Sequence, residues 1–102
     1  MTYPTAQDAR AHLARLPAGV VACFQSVERE HGVVARELLS DDRCFRVAHA
    51  RQALYAAIRA ISWPNGQPRY SLPTIARFCG RLHHTTIIHG LRAHSGRMAR
   101  AA

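Results

Sequence analysis

Apolar residues recur along this chain with a helical period. Val20, Cys23, Phe24 and Val27 stand at the i, i+3, i+4, i+7 spacing of a buried helix face. They predict a helix over residues 20–31, with Gly32 as its C-terminal stop. Val47, Ala50, Leu54, Ala57, Ile58 and Ile61 predict the longest helix, over residues 47–61, with Arg51, Gln52 and Arg59 on a separate face. Ile87, Ile88 and Leu91 predict the inner face of a helix running from 83 to at least 94. Three shorter helices are expected. One covers 5–16, capped by Thr5 and ended by Pro17-Ala18-Gly19. Another covers 34–39 and ends at Ser40. The third covers 71–78, with Ser71 as N-cap and Pro73 in the first turn, where a missing N–H costs nothing. Residues 41–46 have no apolar period, and Ser62-Trp63-Pro64-Asn65-Gly66-Gln67-Pro68-Arg69 is dense in turn formers, so both read as loops. The pattern is that of an all-α fold, a compact helical bundle of five or six helices without strands. Its last two helices, 71–78 and 83–94, are joined by a short turn containing Gly80, which is helix-turn-helix spacing.

Length bounds this picture to one small core: 102 residues suffice for one helical domain and leave no room for a nucleotide-binding fold beside it. The expected organisation is an N-terminal arm or peripheral helix over 1–19, one domain over 20–97 and a disordered tail over 98–102. Charge changes the picture more. Every basic residue is Arg, and the formal net charge is +8. All six acids (Asp8, Glu28, Glu30, Glu37, Asp41, Asp42) fall in the first 42 positions, against four Arg, for a local net of −2. Residues 43–102 carry ten Arg and no carboxylate. A solvated surface ordinarily mixes both signs, so this segment reads as an electrostatic footprint for a polyanion.

Other chemistries find little support. Cys23, Cys44 and Cys79 are odd in number and widely spaced, which suits reduced thiols in a cytosolic protein. Cys79, His83 and His84 lack a fourth ligand at a zinc-site spacing, and His84, His89 and His94 do not share a helix face, so no metal or other cofactor is expected. Nothing indicates a Cys–His nucleophile in a pocket, and the chain is not expected to be an enzyme. The start, Met1-Thr2-Tyr3-Pro4, shows no secretory signal, and no apolar run reaches the ~20 residues that span a bilayer. The expected location is the cytoplasm, in association with the nucleoid. Trp63 and Tyr70 flank the long loop; they could stack on bases, but Trp63 more readily anchors the loop to the helices.

An ordered series of short motifs carries a resemblance. They are Leu38-Leu39-Ser40, Val47-Ala48 followed by Arg51-Gln52, Ser71-Leu72-Pro73 with Ile75, and His84-Thr85-Thr86-Ile87-Ile88-His89. Together, over roughly residues 20–97, the chain resembles domain IV of the bacterial replication initiator DnaA, a helix-turn-helix DNA-binding domain. The last motif looks like that family's Asp-His-Thr-Thr-Val-Leu-His signature. The ATPase domain that precedes domain IV in the initiator is not expected here: without Lys these 102 residues hold no Gly-x-x-x-x-Gly-Lys-[Ser/Thr] phosphate loop.

The resemblance implies roles for individual residues. His83, His84, Thr85 and Thr86 would open the recognition helix and read base edges in the major groove. There an imidazole offers a donor or acceptor, and a threonine methyl packs on thymine. Taken alone, Thr85 and Thr86 could instead cap that helix. Arg43 would enter the minor groove, with Arg46 compensating for a loop diluted by Asp41, Asp42 and Phe45. Arg51, Gln52, Arg59 and His89 would touch phosphates and fix register. Two departures point to a related but different box: His83 stands where the family has Asp, and Leu82 where it has Arg. The expected function is sequence-specific binding of double-stranded DNA at a short asymmetric site, most simply as a transcriptional regulator, with prophage-like genes among the candidate targets. The alternatives are a replication modulator competing for initiator boxes and a protein-interaction module that has lost DNA binding. The acidic N-terminal segment is the expected surface for a protein partner such as RNA polymerase or another DNA-binding protein. No membrane partner is expected.

Overall fold

The computed structural model describes residues 4–101. The first three residues and Ala102 lie outside that range, and with them most of the sequence start read for a signal and the last position of the expected tail. Six helices follow in order: α1 (Ala6–Leu13), α2 (Ala18–His31), α3 (Ala35–Leu39), α4 (Phe45–Arg59), α5 (Leu72–Phe78) and α6 (His84–Ala101). Among the described residues the sole β pairing is an isolated bridge between Ser62 and Pro68. The fold is all-α, as the periodicity predicts.

The chain divides into two compact units, Met1–Arg51 and Gln52–Ala102, with the division inside α4. This differs from the expected boundary after residue 19. The physical reason is that α1 packs on α3 and buries Ala9, so the first helix belongs to the packing of the first unit. Thr5 caps α1 in a reciprocal box: its Oγ1 accepts from Asp8 N at 3.0 Å, and Asp8 Oδ2 accepts from Thr5 N at 3.1 Å. Val20, Phe24 and Val27 of α2 are buried as read, joined by Val33, Leu38, Val47 and Ala50. α2 ends at Gly32, whose φ of 64° is the left-handed conformation that glycine adopts without penalty.

The second unit is built on Leu54, Tyr55, Ile58, Ile75, Cys79 and Ile87, all buried. Ser71 caps α5 by accepting from Thr74 N at 3.3 Å. α5 ends in a Schellman turn: Arg81 N donates to Ala76 O at 2.7 Å, Gly80 N donates to Arg77 O at 3.2 Å, and Gly80 has φ 70°. The chain thereby reverses over residues 79–83 and returns as α6, which packs against α5. α6 runs beyond the expected end near His94, so residues 98–101, expected as a disordered tail, are helical. Gly96 does not stop it, and Met98, Ala99, Arg100 and Ala101 are all good helix formers.

Candidate nucleic-acid interface

α6 opens with a run of four exposed side chains, His83, His84, Thr85 and Thr86, set just beyond the Schellman turn. Ile87 is the first buried residue of α6, and Gly90 follows one turn later. The apolar stripe at 87 and 90 therefore turns positions 83–86 outward. Among the described residues no side-chain hydrogen bond ties any of these four to the rest of the chain. Thr85 and Thr86 thus do not act as hydrogen-bonding caps. The first turn of α6 has no acidic residue to compensate the positive end of its dipole. His89, one turn along, is also exposed. Leu82, just before the run, is 94% exposed.

Arg51 corrects the expected phosphate set. It is 8% exposed rather than solvated. Its Nε donates to Leu38 O at 3.1 Å, and its Nη2 donates to Glu37 O at 3.0 Å and Ser40 O at 2.6 Å. Nη1 donates to Asp42 O, and Ser40 Oγ accepts a further bond from Nη2 at 3.1 Å. These acceptors are the terminal carbonyls of α3 and the strand of loop behind it, groups that a helix end otherwise leaves unpaired. A guanidinium there also suits the negative end of the helix dipole. Arg51 is a C-terminal clamp on α3, with its fork turned inward rather than on the exposed face expected of a phosphate contact.

That clamp positions the loop that carries Arg43. Ser40 Oγ accepts from Asp42 N at 3.2 Å, and Asp42 Oδ1 accepts from Cys44 N at 2.9 Å, so Asp42 shapes the entry to α4. Arg43 between them is exposed and bonded to no other described residue. Arg46 is less available than expected. Its Nη2 pairs with Glu37 Oε2 at 3.6 Å, and its Nη1 donates to Gly32 O. The start of α4 at Phe45, two residues earlier than the apolar stripe indicates, puts Arg46 on the helix and within reach of both groups.

In the second unit, Gln52 Oε1 accepts from Arg97 Nη1. Arg59 Nη1 donates to Tyr70 O at 2.8 Å, which fastens the loop after α4. Both residues are partly exposed, so each retains some polar edge toward solvent. This unit holds seven Arg and no acid, whereas the first holds seven Arg and six acids. The basic character read for residues 43–102 is thus concentrated in the unit that presents positions 83–86.

Two features escaped the reading of the sequence. Arg97 lies beyond the last expected helical turn, so no partner for it was visible. Arg69 stacks its guanidinium 4.7 Å from the Trp63 ring centroid and 5.8 Å from that of Tyr70. Trp63 is 48% exposed, and its ring carries the Arg69 guanidinium. The available signal was an Arg flanked by two aromatic residues in a Pro- and Gly-rich loop.

Among the described residues no group of three or more His, Cys, Asp or Glu side chains is placed to hold a metal ion, and no helix is long and apolar enough to cross a membrane. Comparison of the chain with protein-family models, with curated proteins and with solved structures gave no match.

Proposed function

We propose that this protein binds double-stranded DNA sequence-specifically and regulates transcription by recruitment or occlusion. The observation that carries the reading is the opening of α6. Four exposed polar side chains with no bond to the fold stand at an uncompensated helix N-terminus, in a unit with seven Arg and no carboxylate. In this reading α5 and α6 act as a helix-turn-helix pair. His83, His84, Thr85 and Thr86 meet base edges, and Arg43 enters the minor groove. Gln52, Arg59 and His89 touch phosphates with the edges they have left. Arg51 supports the Arg43 loop from inside. The resemblance of the motifs to DnaA domain IV supports the same assignment, and His83 is the position expected to separate the two site preferences.

The test is a titration on duplex DNA over a range of salt, followed by selection of preferred sites from a random pool. Salt-sensitive binding with a recovered consensus supports the reading. Absence of binding to any duplex at low salt refutes it. That second outcome would favour a protein-interaction module, for which the fully presented Leu82 is the best structural support. Genome-wide occupancy separates promoter regulation from replication control: peaks at promoters support the former, and peaks at the origin support competition for initiator boxes.

A further inference from the structure

Arg69 is an exposed arginine stacked on aromatic rings of a cross-braced loop. Its backbone N donates to Ile61 O at 2.9 Å, on the far side of a closed loop. The loop is cross-braced by Trp63 N donating to Gln67 O at 2.8 Å, Gly66 N donating to Trp63 O at 2.9 Å, and Asn65 Oδ1 accepting from Gln67 N at 3.0 Å. Arg59 ties its end through Tyr70 O, and the Tyr70 ring meets Phe78 of α5 edge-on at 5.1 Å. The guanidinium lies over the Trp63 ring and near that of Tyr70, yet no described residue accepts a hydrogen bond from it.

Stacking restricts an arginine to a plane and uses only its face, so the N–H edge remains available for two parallel bonds to an oxyanion. Holding the fork in place removes part of the ordering cost that a free surface arginine incurs on binding. The unit around it carries no carboxylate to occupy that edge. We propose that the 62–70 loop is a second DNA contact, in which Trp63 and Tyr70 position Arg69 to take one backbone phosphate of the duplex. The contact rests on the DNA-binding reading above and extends it: this loop adds affinity and register, not base selection.

Trp63 is the chain's single tryptophan, so it reports on this loop directly. The experiment titrates a labelled random-sequence duplex into the full chain at low salt and reads label anisotropy and Trp63 emission together. Wild type, Arg69→Gln, Arg69→Lys and Trp63→Leu are compared. The expected result is a change in Trp63 emission that tracks the anisotropy. Arg69→Gln should bind several-fold more weakly, with a salt slope smaller by about 0.9, the loss of one phosphate contact. Arg69→Lys should keep the slope and lose part of the affinity, because an ammonium keeps the charge without the stacked fork. Trp63→Leu should resemble Arg69→Lys. Duplex binding by Arg69→Gln with wild-type affinity and slope, and with Trp63 emission unmoved in the wild type, overturns this contact and leaves the DNA-binding reading intact. Absence of any anisotropy change for the wild type overturns both.

Discussion

Gly90 lies directly against the ring of Tyr55: a Cβ placed on residue 90 would fall 2.6 Å from Tyr55 Cδ2 and 2.8 Å from Cε2. Tyr55 is buried, so its ring has little room to retreat. The missing side chain at position 90 lets α6 approach α4 this closely within the second unit. Gly90→Ala gains up to about 1 kcal/mol of helix propensity but overpacks the contact, which typically costs about 1–3 kcal/mol. The expected outcome is net destabilisation of about 1 kcal/mol, read as a lower denaturation midpoint with an unchanged m-value. An alanine variant as stable as the wild type would show that the ring moves freely.

Arg51→Met should behave as a folding mutant. It removes the guanidinium donors that serve the α3 terminus and leaves the carbonyls of Leu38 and Ser40 without those partners, while Ser40 N and Oγ still donate to Glu37 O. Unsatisfied groups of this kind cost about 1–3 kcal/mol. Arg51→Lys should restore little, since one ammonium cannot span acceptors arranged for a planar fork. Chemical denaturation measures the loss. Wild-type stability in Arg51→Met, combined with weakened DNA binding, would return Arg51 to the phosphate set.

Thr85→Ala is expected to do the opposite. A Thr that served as an N-cap would cost about 1 kcal/mol on truncation. Thr85 is exposed and its side chain is bonded to no other described residue, so stability should change by no more than about 0.5 kcal/mol. Sequence preference should fall while salt-sensitive non-specific binding persists. Site selection with the variant distinguishes the two: recovery of an unchanged consensus would remove Thr85 from the base-reading set.

The thiols should separate by position. Burial raises the Cys23 thiol above its ordinary value of 9.0, Cys44 is exposed, and Cys79 is buried. A thiol-reactive probe at neutral pH should therefore label exposed Cys44 first, the half-buried Cys23 more slowly, and Cys79 only as the fold opens. The raised Cys23 value also fixes a sign. Its neutral form is favoured in the folded state, so its contribution to stability is complete below the unfolded value and is lost as pH rises through the higher folded one. Stability should decline in alkaline solution above about pH 9, less so for Cys23→Ala. Mass mapping of labelled peptides and alkaline denaturation curves check both statements.

Local signals were legible where one segment settled the outcome. Thr5, Ser71, Gly32 and Gly80 declared their caps and turns because each acts within a few residues of its own position. Arg51 was misread because its charge was given more weight than its spacing. Val47, Arg51, Leu54 and Ile58 continue the i, i+4, i+7 stripe, and the structure buries all four. A guanidinium can occupy such a stripe only if carbonyls await it, and those come from a short helix more than ten residues upstream. The Trp63–Arg69 stack depends in the same way on loop closure that no local pattern encodes. The exposed run at 83–86 was legible because Ile87 and Ile88 fix the inner face that follows it. Its separation from the fold's hydrogen bonds emerges only in three dimensions.

That separation makes positions 83–86 a writable address. Burial starts at Ile87 and the chain reversal is completed by Gly80 and Arg81, so the intervening letters can be exchanged without disturbing the scaffold on either side. A library randomised at His83, His84, Thr85 and Thr86 should yield mostly folded proteins with divergent binding preferences. Under the proposed DNA-binding reading, the same freedom would let descendants of one such scaffold acquire new targets by few substitutions, without first repairing a core.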